Sequence, residues 1–128
     1  MIIRIDTVST TPIYVQLRNE IVKGIGRGEL SEGECLPTVR QLAADLGVNS
    51  MTVSKAYQTL KAEGFIETDR RRGAIVRSGV QSGAQPDDRF REKLEGELEL
   101  LSAEAKIKGL GREEFIHLCS MAFAGMEG

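Results

Sequence analysis

The sequence predicts a mainly α-helical protein with one small β-hairpin, followed by a two-helix tail. Residues 36–57 contain two short runs of helical periodicity separated by a glycine, and residues 65–77 contain two alternating runs around a charged turn. Residues 78–86 carry no charge and read as a flexible linker, after which helical periodicity resumes. We therefore expect a folded region at 1–77, a linker at 78–86 and a helical tail at 87–128.

The stretch 36–57 has the start and stop signals of two helices joined by a tight turn. Thr38 is a suitable N-cap for the first helix, and Asn49 is one for the second. Gly47 is placed to end the first helix, as a glycine beyond the last turn does. The core face of the second helix is then predicted to hold Val53, Ala56, Tyr57 and Leu60.

The opposite face of that second helix begins with small polar groups and includes a lysine. Such an amino-terminal end fits the major groove of DNA and the phosphates that flank it. An ordinary helical hairpin within a core is the alternative reading of the same pattern. Met51 is either a contact to a thymine methyl group or a tolerated surface residue. The outward residues are Ser50, Met51, Thr52, Ser54 and Lys55.

The hairpin favours the DNA-binding interpretation. Residues 65–68 and 74–77 alternate as strands do, and the predicted turn at 69–73 holds three consecutive arginines. A hairpin with a purely structural role does not need three neighbouring charges of the same sign. Upstream, Thr11 is the predicted N-cap of a first helix, Pro12 its first residue, and the helix should end near residue 27. Residues 29–35 read as a loop.

At this point the sequence resembles a known family. The segments that carry the resemblance are 12–17 (PIYVQL), 28–30 (GEL), Gly33, 36–43 (LPTVRQLA), 47–49 (GVN), 52–57 (TVSKAY), 63–67 (EGFIE) and 73–76 (GAIV). Together they look like the DNA-binding domain of GntR-type transcription regulators, and the short tail looks most like the YtrA-like subfamily. Arg71 departs from the pattern, because members often carry a glycine at the wing tip.

The resemblance implies a winged helix-turn-helix that binds double-stranded DNA as a homodimer, usually as a repressor. It also implies an arginine at the DNA in the position of Arg40. Because a two-fold dimer presents two recognition helices related by symmetry, we expect the operator to be an inverted repeat. The residues that we expect at the DNA are Thr38, Arg40, Asn49, Ser50, Met51, Thr52, Lys55, Arg70, Arg71, Arg72 and Gly73.

The charge distribution agrees with this interpretation although the net charge is −2. Residues 36–77 hold seven Lys or Arg and four Asp or Glu, a balance of +3. Residues 1–35 have a balance of −1, and residues 78–128 have one of −4. The basic charge therefore lies where the predicted helix pair and hairpin lie.

The tail of about forty residues is too small to bury its apolar stripes alone. The stripes can be buried against the chain's own head or against a second copy of the chain. A helical bundle of two copies buries the stripes of both copies at once. Gly96 weakens the first tail helix, and close packing against another element is one possible reason for a glycine at this position. The predicted dimerisation residues are Phe90, Leu94, Leu98, Leu101, Phe115 and Leu118.

No catalytic or metal site is predicted, and no cofactor. His117 and Cys119 are two residues apart on a helix and so point to different faces. The two cysteines lack a partner motif, and neither a signal peptide nor a membrane span is visible, so we expect a cytoplasmic protein without a membrane partner. Some GntR relatives carry a fused aminotransferase-like enzyme domain, for which this tail is too short. A winged-helix module for protein contacts is the alternative function, and a small-molecule effector stays open.

Overall fold

The computed structural model describes residues 3–77 and 87–127. The chain forms two compact units, Met1–Gln81 and Ser82–Gly128, which we call the head and the tail. The linker predicted at 78–86 lies outside the described residues and stays a prediction.

Three helices and a hairpin build the head. Helix α1 spans Ile13–Gly26, α2 spans Val39–Leu46 and α3 spans Ser50–Ala62. Both α1 and α2 pack on α3, which is therefore the central helix. The predicted mainly helical fold with a two-stranded hairpin is confirmed. The buried core of the head comprises Leu17, Ile21, Leu30, Leu36, Leu42, Ala43, Val53, Ala56, Tyr57, Leu60, Ile66, Ile75 and Val76.

The hairpin consists of β1, Ile66–Asp69, and β2, Gly73–Val76. The strands are antiparallel, with Ile66 opposite Val76 and Asp69 opposite Gly73. Both strands lie one residue nearer the turn than the sequence predicts. The reason is a tighter turn, since one oxygen of the Asp69 carboxylate accepts hydrogen bonds from the amides of Arg71 and Arg72.

The segment preceding α2 pairs with the outer edge of β2, which the sequence did not predict. The Val76 amide donates to the Glu34 carbonyl at 2.9 Å, and the Leu36 amide donates to the Ala74 carbonyl at 2.8 Å. Cys35 forms an isolated antiparallel bridge with Ile75. The end of the predicted 29–35 loop thus holds the hairpin against the head.

The start of α1 differs from the prediction by one residue. Pro12, not Thr11, is the N-cap, and its extended backbone (ψ 145°) keeps it outside the helix. The Pro12 carbonyl accepts hydrogen bonds from the amides of Val15 and Gln16. The predicted Thr11 cap is therefore wrong, while the predicted end near residue 27 is confirmed by Arg27 as the C-cap.

The tail consists of α4, Asp88–Ile107, and α5, Arg112–Ala124. The Asp87 side chain caps α4 by accepting a hydrogen bond from the Phe90 amide at 2.8 Å. Gly109 follows α4 with φ +90°, a conformation that glycine adopts without strain. The two helices contact each other, but neither contains a buried residue.

Candidate nucleic-acid interface

Local hydrogen bonds fix the turn between α2 and α3. Thr38 and Gln41 form a reciprocal capping box, with distances of 3.1 Å and 3.0 Å between the bonded atoms. Gly47 adopts the left-handed conformation at φ +68° and ends α2. The Asn49 side-chain oxygen then caps α3 by accepting a hydrogen bond from the Met51 amide at 2.7 Å. These bonds set the direction in which α3 leaves the turn.

The first two residues of α3 are open to solvent. Ser50 is exposed, Met51 is 76% exposed and Thr52 is half-buried. Arg40, the second residue of α2, is also exposed. Within the described residues, the Arg40 guanidinium has no hydrogen bond or ion pair, so all of its donors can meet a ligand. The oxygens of Thr38 and Asn49 are already used for capping.

Lys55 is held from one side by α1. Its Nζ lies 4.2 Å from the centroid of the Tyr14 ring, within the range of a cation–π interaction. Lys55 remains exposed, and Tyr14 is half-buried against the core. The two side chains line a groove between the start of α1 and the outward face of α3 that also includes Met51 and Thr52.

The hairpin, which we call the wing, carries three exposed arginines, of which one is hydrogen-bonded to the rest of the head. The Arg72 guanidinium donates a hydrogen bond to the Gly33 carbonyl. Arg70 and Arg71 extend from the turn into solvent. The hydrogen bonds from the amides of Arg71 and Arg72 lower the pKa of the Asp69 carboxyl. Asp69 is thus ionised at neutral pH and stabilises the turn that carries the arginines.

A second groove separates the wing from α2 and α3. Its polar lining adds two residues of α3, Gln58 and Lys61, to the set that the sequence predicted. Gln58 follows Ser54 by one turn, and their side chains are 3.5 Å apart. A signal for Gln58 was present, because it lies seven residues after Met51 and so continues the same outward face. Thr38, Ser54, Arg72 and Gly73 line this groove as well.

The predicted dimerisation residues lie on the tail. The stripe on α4 is partly exposed, with 49% of Phe90, 42% of Leu94, 38% of Leu98 and 52% of Leu101 accessible. On α5, Leu118 is 52% exposed and Phe115 is half-buried. Gly96 has no packing reason within the tail, since a Cβ built there meets no atom within 4 Å.

In the described part of the chain, we find no metal-binding cluster, no disulfide and no membrane-spanning helix. Across residues 3–77 and 87–127, no cluster of three or more His, Cys, Asp or Glu side chains could hold a metal ion. Cys35 and Cys119 are free and exposed. None of the helices described combines the length and the apolar composition that crossing a bilayer requires.

Comparison with known proteins identifies the family. The family model described as bacterial regulatory proteins, gntR family, matches residues 11–76, which comprise α1 to α3 and the wing. The chain belongs to the GntR family. Within that family it is YtrA-like, being 41% identical over 80 residues to the HTH-type transcriptional repressor YtrA of Bacillus subtilis. The match covers 62% of this GntR chain and 62% of that relative's length.

Two solved structures extend the comparison beyond sequence. A transcriptional antiterminator from Listeria monocytogenes EGD-e is 28% identical, has a TM-score of 0.88 and covers 100% of this chain and 94% of its own. The DNA-binding domain of AraR in complex with operator ORR3 is 26% identical, with a TM-score of 0.51, and covers 58% of this chain and 89% of its own. The first includes both helices of the tail, and the second relates the head to a DNA-bound domain.

Proposed function

We propose that this GntR protein is a transcription regulator, acting as a repressor, that binds an inverted-repeat operator in double-stranded DNA as a homodimer. The observation that carries the proposal is the exposed amino end of α3 beside a wing with two free arginines. The relationship to a repressor and to an operator-bound domain supports it. A small-molecule effector, whose chemistry is not identified, would shift the equilibrium between free and DNA-bound protein.

In this proposal α3 is the recognition helix. Ser50 and Thr52 supply hydroxyl groups that can donate to and accept from base edges, and Met51 supplies an apolar contact for a thymine methyl. Arg40 approaches from α2, where a guanidinium can bind the O6 and N7 atoms of guanine together. Because Arg40 has no partner within the described residues, DNA binding would not have to break an existing bond.

The wing and Lys55 supply contacts that do not depend on base sequence. Arg70 and Arg71 project from a turn that Asp69 closes, so their backbone is ordered before DNA arrives. The tied-back Arg72 stabilises the base of the same turn. Each such cation that meets a phosphate releases counterions, which makes the affinity fall with salt concentration.

The tail is proposed to join two copies. Its apolar stripe is accessible in the isolated chain, and a second stripe related by a two-fold axis would cover it. Two heads would then reach successive major grooves about 34–36 Å apart, which requires an inverted repeat. Tethering makes the second contact intramolecular and raises avidity by roughly 10²–10⁴.

Selection of bound sequences from a random duplex pool tests the proposal and yields the operator. Arg40→Ala and Thr52→Ala should each weaken binding by about 1–3 kcal/mol and relax the preference at one position. Arg27→Ala is a matched control, because Arg27 lies beyond the far end of α1, about 20 Å from Tyr14 at 1.5 Å per residue. The control should bind as wild type does.

Two outcomes would contradict the proposal. If no sequence is enriched and binding to duplex DNA is insensitive to salt, the head serves protein contacts instead. If a sequence is enriched but Arg40→Ala and Thr52→Ala bind it with wild-type affinity, α3 and α2 do not read the bases.

A further inference from the structure

The contact between Tyr14 and Lys55 links α1 to the outward face of α3. The Lys55 ammonium lies 4.2 Å from the ring centroid, although the two residues are far apart in sequence. Tyr14 is half-buried against the core, so its ring has a fixed position from which to hold a flexible lysine. Lys55 precedes the middle of α3 and lies one turn after Met51 and Thr52.

The ammonium keeps its hydrogen-bond donors available in this position. In the described part of the head, Lys55 has no hydrogen bond from its Nζ and no ion pair with a carboxylate. A ring face attracts the cation electrostatically without accepting a directed hydrogen bond as an oxygen does. The three N–H donors therefore remain free for an anionic ligand.

The residues around Lys55 indicate that the ligand of its ammonium group is a DNA phosphate and not a free anion. Tyr14 and Lys55 line the groove that also includes Pro12, Met51 and Thr52, so the ammonium stands beside the side chains that we assign to base contacts. A duplex whose base edges meet Met51 and Thr52 brings its backbone along the sides of α3. The backbone phosphate next to those bases is then the anion nearest to Lys55.

We infer that Tyr14 is a positioning residue for DNA binding, whose ring holds the Lys55 ammonium where it meets that phosphate. The inference rests on the proposed function. It assigns α1 a part in the interface in addition to its role in the core. A lysine held in place loses less conformational freedom on binding than one that moves freely in solvent. Tyr14 itself need not touch the DNA.

A double-mutant cycle in the full chain tests this coupling. Tyr14→Leu removes the ring face and should weaken binding to a half-site duplex about two- to fivefold, the range of an exposed cation–π pair. In a Lys55→Ala background the same change should have no further effect. Tyr14→Phe keeps the ring and should bind as wild type does.

Salt dependence separates positioning from loss of charge. Lys55→Ala removes a cation and should flatten the slope of log affinity against log salt by roughly one unit per head. Tyr14→Leu keeps the cation and should lower affinity while leaving the slope close to that of wild type. A merely structural role of Tyr14 would lower affinity equally whether or not Lys55 is present, and that result would overturn the inference.

The wild-type protein provides a measurement that does not depend on the folding of any variant. Ring current from Tyr14 should shift the ε-methylene protons of Lys55 upfield in NMR spectra, and the shift should persist when operator DNA is added. Loss of the shift on DNA, or tighter binding by Tyr14→Leu, would show that the ammonium must leave the ring, and would overturn the inference. If wild type binds no duplex at all, the proposed function fails instead.

Discussion

Replacing Tyr57 with phenylalanine should destabilise the head through one hydrogen bond. The Tyr57 hydroxyl donates to the Pro37 carbonyl at 2.7 Å and so ties α3 to the residue before the α2 capping box. A hydrogen bond of this kind contributes about 0.5–1.5 kcal/mol net. Because Pro37 is half-buried, water can partly replace the lost donor, and we expect a loss of about 1 kcal/mol.

The assay is urea unfolding with thermal melting as a second measurement. A loss of about 1 kcal/mol should lower the melting temperature by roughly 4–8 °C for a unit of this size. The urea midpoint should fall while the slope stays unchanged, because the surface exposed on unfolding is nearly the same.

The same hydroxyl makes a pH-dependent prediction. Burial raises the pKa of Tyr57 from 10.0 to about 12. The folded state therefore holds this proton more tightly than the unfolded state. The resulting contribution to stability is fully present below pH 10 and is lost as the pH rises through about 12. The phenylalanine variant has no such proton, so the stability difference between it and wild type should stay constant up to about pH 10 and shrink as the pH rises from there towards 12.

Tyr14→Phe is the matched control, since it removes the chain's other tyrosine hydroxyl. Among the described residues the Tyr14 hydroxyl has no hydrogen bond, so this variant should unfold at the wild-type midpoint. If both variants lose the same stability, or if Tyr57→Phe unfolds at the wild-type midpoint, the bond to Pro37 does not contribute as argued.

Three further predictions concern the wing, the tail and the contact between α1 and the end of α3. Asp69→Ala should loosen the wing turn and weaken DNA binding without unfolding the head, as amide exchange at the turn would report. Since the pKa of Asp69 is lowered, its contribution should be present above the ordinary carboxyl pKa and lost as the pH falls through the lowered value. Leu98→Glu should give a monomer in sedimentation, whereas Gly96→Ala, on the opposite face of α4, should keep the dimer and stabilise the helix by about 0.5–1 kcal/mol. Arg18→Ala should lower the urea midpoint without changing DNA affinity, since its two bonds to Glu63, at 2.9 Å and 2.8 Å, stabilise the head by about 1 kcal/mol or less.

The prediction of the helix pair from sequence succeeded because its signals are local. The Thr38 and Asn49 caps and the glycine at 47 act within three or four residues of their own positions. The core face of α3 follows from apolar spacing alone, and all four residues predicted there are buried. The same local rules placed the tail helices and the basic hairpin, so the fold class could be read before any tertiary contact was known.

The sequence rules misplaced the ends of elements where two backbone conformations were both compatible with the residues. Thr11 and Pro12 together are compatible with a helix that starts at either residue, and the extended backbone of Pro12 selects the later start. The strands of the wing shifted by one residue because a side chain, Asp69, closes the turn. Such offsets depend on a single hydrogen bond or dihedral angle, which residue periodicity does not encode.

The sequence by itself determined the start of α2 and of α3, the apolar face of α3, and the concentration of basic charge at residues 36–77. Only the tertiary structure decided which basic side chains of the head have partners and which are free. It places Lys55 over Tyr14, ties Arg72 to Gly33 across 39 residues, and pairs Arg18 with Glu63 across 45 residues. These contacts join segments that are distant in the chain, so they form only once the core has brought α1, α3 and the wing together. Arg40, Arg70 and Arg71 are left accessible by the same packing.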